Sequence, residues 1–154
     1  MARAPYQVLV IPYRRVESSI EVAVFHRTDY DVWQFVSGGG EQGESPLDAA
    51  RREGQEEACI PATTSYLALD SIASVPACWF PAWAEWPQDI LVIPEHAFAV
   101  EVADCQHSDE HSDMRWCSVH AAMTLVRFDS NRNALWELHE RLFPGPRVKR
   151  PAYL

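Results

Sequence analysis

The sequence predicts one α+β or α/β domain over residues 1–154, and three observations carry that prediction. Segments with period-two alternation open the chain and return after Pro61, a well-capped helix separates the two groups, and a strongly periodic helix comes near the end. A chain of 154 residues can bury roughly 70% of the surface its unfolded form exposes, so a hydrophobic core suffices without disulfides. No internal repeat, low-complexity tract or composition shift marks a linker.

Taken in order, Tyr6 to Arg14 reads as a strand and Ser19 to Arg27 as a second, with Val16, Glu17 and Ser18 suited to a hairpin between them. Ser45 is a helix N-cap, Pro46 fits the first helical position and Asp48 completes a capping box, so a helix is expected from Pro46 to Cys59 and ends before Pro61. YLALDSIASV, HAFAVEVA and MRWCSV read as further strands. SVHAAMTLV reads as a short helix and SNRNALWELHERLF as the terminal one, with Ala134, Leu135, Leu138 and Leu142 on one face. The tail GPRVKRPAYL is expected to be irregular. Segment 75–94, with three Trp, one Phe and four Pro, is either an ordered loop or a lip facing a substrate.

A net charge of −9, from 22 acidic and 13 basic side chains, opposes binding of a nucleic-acid polymer or an anionic membrane. A polyanionic small molecule would need metal ions, placed arginines or backbone amides at a helix start. The run VLVIPY is too short for a signal peptide and nothing later is long enough to span a bilayer, so a cytoplasmic location is expected. Cys59, Cys78, Cys105 and Cys117 show neither C-x-x-C nor zinc-ribbon spacing and read as reduced structural thiols. His107 and His111 lie four apart in a polar loop without H-E-x-x-H, which argues against zinc. Oligomeric state is not legible.

Glu53, Glu56 and Glu57 stand at i, i+3 and i+4 and share one helix face. They form either a solvated acidic patch or an oxygen site for Mg²⁺ or Mn²⁺. The preceding Gly38, Gly39, Gly40 and Gly43 read as a loop, where they permit positive φ and close backbone approach. Glu44 sits just before the cap, and Arg52 can hold a neighbouring carboxylate by bidentate pairing.

Gly38, Glu44, Arg52, Glu53, Glu56, Glu57 and Ile60 fall in register on the pattern G-x5-E-x7-R-E-U-x-E-E-x-G-U, with U aliphatic. The segment thus resembles the Nudix box of the Nudix hydrolase superfamily. Gly54 replaces an aliphatic residue of that pattern, which is expected to remove a core contact and up to about 1 kcal/mol of helix propensity. Cys59 replaces its last glycine, where positive φ is costly for a residue with a Cβ. WQFVSGGGEQGE resembles the family's approach to the box, with Val36 and Ser37 in place of the usual Pro-Gly. Glu110-His111 followed by Trp116, with Asn131 to Ala134, resembles bacterial dihydroneopterin triphosphate pyrophosphatases.

The resemblance implies an α/β/α sandwich around a mixed β-sheet, and an enzyme that cleaves a nucleoside diphosphate linked to another moiety by attack of water on phosphorus. Glu53, Glu56 and Glu57 would hold Mg²⁺ (or Mn²⁺), with Glu44 in support and Glu110 as a further ligand. Glu53 and Glu110 are the two candidates for general base. The narrower likeness implies dihydroneopterin triphosphate or a (d)NTP as substrate, split to a monophosphate and pyrophosphate. The rivals are a housecleaning hydrolase of oxidised nucleotides, a hydrolase of dinucleoside polyphosphates or nucleotide sugars, and a non-catalytic nucleotide-binding module.

Gly38 and Gly39 are candidate substrate contacts, and Arg27 could reach a substrate phosphate or simply end its strand in solvent. Trp33 and Gln34 could contact a base or pack beneath the loop. His111 could touch substrate or order Glu110. Trp79, Trp83 and Trp86 could stack on a flat heterocycle or pack onto the sheet.

Overall fold

The computed structural model describes residues 2–147. The elements run β1 (Arg3–Val16), β2 (Ser19–Arg27), β3 (Trp33–Gln34), β4 (Val36–Glu41), α1 (Pro46–Ala58), β5 (Tyr66–Pro76), β6 (Val92–Glu101), β7 (His111–Ser118), α2 (Val119–Leu125) and α3 (Asp129–Leu142), with two short 3-10 turns between β5 and β6. Residues 148–154 of the expected irregular tail lie outside the described residues.

β1 and β2 form the expected antiparallel hairpin, with Val16 opposite Ser19. The two strands part beyond their paired ends, and the gap is filled by β3 against β2 and β4 against β1. β6 runs parallel to β1 along its other edge, β5 closes that side, and β7 pairs with β2. The sheet is therefore mixed. Alternation along β1 sends Leu9, Ile11 and Tyr13 into a core with α2 and α3, and Val8 and Val10 into a second core with α1. Helices on both faces make an α/β/α sandwich.

α1 begins as its sequence dictates: the Ser45 hydroxyl accepts from the Asp48 backbone N–H and Pro46 occupies the first turn. It ends on Cys59 in the left-handed region, φ 57° and ψ 31°, whose N–H donates to Gln55 O at 3.2 Å. Cys59 thus takes the conformation for which the box pattern uses glycine.

Gly54 does not leave a hole. A Cβ there would fall 2.1 Å from the Tyr66 hydroxyl, so the ring of Tyr66, on β5, occupies the space that an aliphatic box residue would fill. The fit leaves one defect. The Tyr66 hydroxyl is buried without a hydrogen-bond partner, and burial pushes its pKa up to about 12. Tyr66→Phe removes that unpaired group while keeping the ring, and is expected to stabilise the fold by about 1 kcal/mol, or roughly 2–4 °C in Tm. Parallel urea and thermal unfolding would check it, and an unchanged or lower midpoint would show the hydroxyl to be satisfied.

Candidate active site

Gly38, Gly39 and Gly40 lie inside β4 rather than in a loop, and among the described residues the only glycine at positive φ is Gly43, at 82°. Close approach is what these three positions require. A Cβ on Gly38 would lie 2.1 Å from the Glu53 carboxyl carbon, on Gly39 2.2 Å from the Arg3 guanidinium, and on Gly40 1.9 Å from the Tyr6 ring. Each glycine seats one side chain, and β4 becomes a shelf beneath them.

Arg52 ties this shelf to α1. It donates to both oxygens of Glu44, at 2.9 and 3.0 Å, to Gly39 O at 2.9 Å, to Glu53 at 2.9 Å and to Glu56 at 3.3 Å. Arg52 holds the Glu44 carboxyl below its ordinary range. Glu44 Oε2 also accepts from the Glu41 N–H at 2.8 Å, so both Glu44 oxygens are engaged within the protein. Glu44 and Arg52 stand behind the cleft rather than in its lining.

Glu57 is the stressed member of the group. It is 4% exposed, and its Oε2 is buried without a partner. Burial, then repulsion from Glu53 and Glu110, push its carboxyl well above the ordinary carboxylate range. Burial also raises Glu53, against the opposing pull of Arg52. His111 Nε2 lies 3.9 Å from Glu57 Oε2. The ring is buried, which lowers its pKa below the ordinary imidazole value, and its Nδ1 has no partner.

Among the described residues, no three His, Cys, Asp or Glu side chains stand as a ready-made metal cage. The donor chemistry nevertheless suits a hard divalent cation: two buried carboxylates in mutual contact, a third facing them, and an orphaned oxygen on Glu57.

Glu53, Glu56, Glu57 and Glu110 line a cleft of about 840 Å³. Of the residues expected from sequence, Arg27, Gln34, Gly38, Gly39, Glu53, Glu56, Glu57 and Glu110 line it. Arg27 is bidentate to Asp29, at 2.7 and 2.5 Å. Trp33 instead packs beside His26, ring centroids 5.0 Å apart, and under Arg115 at 4.5 Å, and His111 sits behind Glu57 outside the lining. The three tryptophans of segment 75–94 divide. Trp79 lines the cleft, Trp83 Nε1 donates to Ile90 O at 2.8 Å, and Trp86 is buried with its Nε1 donating to Arg3 O at 2.8 Å. The segment is both an ordered loop and a cleft wall.

Sequence reasoning missed Arg3, Gln7, Phe80 and Glu95, all in the lining. Arg3 lies 4.4 Å from the Phe80 ring centroid and donates to Gln7 Oε1. An arginine two residues into a chain carries no local signal. Glu95 had one, a carboxylate set between the apolar runs ILVIP and AFAV.

Residues 5–141 match the family model for the NUDIX domain. The chain belongs to the Nudix family. Among solved structures, this Nudix chain is similar to an uncharacterised NUDIX hydrolase from Listeria monocytogenes, with 43% identity, 90% of this chain and 94% of that one covered, and a TM-score of 0.80. The E. coli dihydroneopterin triphosphate pyrophosphohydrolase shares its fold at 23% identity, with 92% and 99% covered and a TM-score of 0.74. A C. elegans Ap4A hydrolase does so at 19% identity, with 90% and 98% covered and a TM-score of 0.69. No curated protein matches. The protein is a Nudix hydrolase, of a family that acts on nucleoside diphosphate derivatives and generally uses a divalent metal, typically Mg²⁺. No helix among the described residues is long and apolar enough to cross a membrane.

In this Nudix hydrolase the Gly38 seat has a direct consequence. Gly38→Ala would push the Glu53 carboxylate off its shelf, and turnover is expected to fall by about tenfold or more, since small misplacements of a positioned group cost up to about 10²-fold. Steady-state kinetics beside a melting curve would check this, and full activity would show that Glu53 need not lie on Gly38.

Proposed function

We propose that this chain, as one cytoplasmic Nudix domain, is a Mg²⁺-dependent pyrophosphohydrolase. Its substrate would be a nucleoside triphosphate-like small molecule, either dihydroneopterin triphosphate or a (d)NTP, cleaved to a monophosphate and pyrophosphate. Neither a nucleic-acid polymer nor a membrane is a partner in this reading. One observation carries it: a single cleft lined by two buried carboxylates, Glu53 and Glu57, by Arg27, and by the rings of Phe80, Trp79 and Phe128. A molecule with a charged phosphate chain and a flat ring matches both parts.

Glu53, Glu56, Glu57 and Glu110 would hold Mg²⁺, with Mn²⁺ able to replace it, and the bound cation would offset phosphate charge and acidify water. The chain's own residues do the rest. Arg27 binds a phosphate oxygen, and the Gly38–Gly39 backbone, lacking side chains, lets the phosphates approach β4. Arg52 fixes Glu53 and Glu44, while Glu53 or Glu110 accepts the proton of the attacking water. His111 packs behind Glu57, its Nε2 3.9 Å from the carboxyl.

Purified protein with Mg²⁺, assayed for pyrophosphate release against dihydroneopterin triphosphate, the dNTPs, oxidised dGTP and diadenosine tetraphosphate, tests this reading. Dihydroneopterin triphosphate or a dNTP is expected to give the highest kcat/KM. A lead of orders of magnitude for oxidised dGTP or the dinucleotide would overturn the substrate assignment, and turnover that survives a chelator would overturn the metal assignment.

A further inference from the structure

Glu95 lies on β6, in register with Gln7 of β1 and Ala73 of β5, and lines the cleft with Gln7, Ser130 and Asn131. It is 8% exposed, its Oε1 is buried with no hydrogen-bond partner, and the Ser130 hydroxyl is within hydrogen-bonding reach of the carboxyl. The amide donors of its other polar neighbours point elsewhere: Asn131 Nδ2 donates to Ser130 Oγ at 3.3 Å and Gln7 Nε2 to Ser37 Oγ at 2.9 Å. A carboxylate in such surroundings is costly unless donors satisfy it, and among the described residues Ser130 is the one side-chain donor that reaches it. Glu95 borders both a small cavity of about 150 Å³, shared with Ser71, Ser130 and Asn133, and the 840 Å³ cleft, and of the two only the cleft has room for a nucleotide-sized ligand. The cleft's nearby walls hold Val75, Phe80 and Phe128, surfaces suited to a flat ring.

We propose that Glu95 reads the heterocycle of the substrate, accepting from the adjacent N–H donors of a 2-amino-4-oxopyrimidine edge, the edge that guanine and pterin rings share. This rests on reading the cleft as the site of a heterocycle-bearing triphosphate. A ring N–H beside an exocyclic amino group places two donors before one carboxylate with no acceptor between them. Adenine places a ring-nitrogen lone pair beside its amino group, so a carboxylate that meets one donor also meets a repelling acceptor. A hypoxanthine ring keeps the ring N–H and lacks the amino group. A buried polar group left unpaired by the wrong ring is the strong form of discrimination. Burial raises the Glu95 carboxyl above its ordinary range, and a pair of donors is what would hold it ionised in the complex.

The test is equilibrium binding, by calorimetry with Mg²⁺ present, of GTP, ITP and ATP analogues that carry methylene groups at both bridging positions and so cannot be cleaved. The wild-type protein is expected to bind the guanosine analogue at least tenfold more tightly than the other two. Glu95→Met, an apolar replacement of similar length that removes the buried charge, is expected to weaken the guanosine analogue by about tenfold or more, the loss of one charged hydrogen-bond acceptor, and so erase that preference, while the adenosine analogue stays within about threefold. Should the Met variant not fold, Glu95→Gln is expected to lower the guanosine preference by at least threefold. Equal wild-type affinity for all three rings, or a guanosine preference that survives these substitutions, would overturn the proposal. Absence of pyrophosphate release from any triphosphate would remove the proposed reaction and leave these affinities to decide the role of Glu95 separately.

Discussion

Glu57→Gln is expected to reduce Mg²⁺-dependent turnover by about 10²–10³-fold, the usual loss when one preorganised electrostatic group at a reacting centre is removed. The same substitution should stabilise the metal-free protein. Glu57 is 4% exposed, and Glu53 and Glu110 repel its ionised form. Its folded pKa is raised above the unfolded value, so its contribution to stability is present below the unfolded pKa and is lost as pH rises toward the folded one. An amide carries no such penalty. In chelator-treated samples the Tm advantage of Glu57→Gln over wild type should therefore widen as pH rises from about 4.5, a carboxyl's ordinary range, and Mg²⁺ should close it by stabilising only the wild type. A Gln variant that is both active and no more stable would remove Glu57 from the metal site.

Arg52→Ala should be the most damaging single change to stability in the site. Arg52 holds both oxygens of Glu44 and one of Glu53, and caps the Gly39 carbonyl, with 24% of its side chain exposed. Removing it leaves Glu44 and Glu53 without their cation in a partly buried setting, for an expected loss of about 2–4 kcal/mol. That corresponds to roughly 4–16 °C in Tm for a chain of this size. The exposed Glu56 contact adds little to this. Lysine should recover less than half, since one ammonium cannot reproduce the fork that grips Glu44. Denaturant unfolding of the three proteins would check the order. Equal midpoints for Arg52→Lys and wild type would mean that charge alone, not the planar fork, is what the site needs.

Much of the fold was legible because its signals are local. Ser45, Pro46 and Asp48 set the start of α1 through contacts within one turn, and period-two alternation placed β1 and β2. The acidic face of α1 followed from helical geometry alone. Where a local rule failed, a distant residue had changed its terms. Gly54 reads as a lost contact until Tyr66 of β5 is seen in its place. The glycine run reads as a loop until the parting of β1 and β2 leaves an edge for β4 to fill.

The candidate site divides in the same way. Spacing by itself determined that Glu53 and Glu57 share a face, that Arg52 stands beside them and that Glu44 precedes the cap, because each depends only on residues within a turn or two of α1. Tertiary structure decided that Glu53 lies on Gly38, that Glu110 faces Glu57, that Trp33 and His111 stand outside the cleft lining, and that Arg3, Phe80 and Glu95 complete the walls. Those meetings depend on the parallel register of β1 with β6 and on how segment 75–94 is pinned through Trp86 to Arg3. Register and pinning are long-range packing outcomes, and no window of sequence short enough to show periodicity contains both partners.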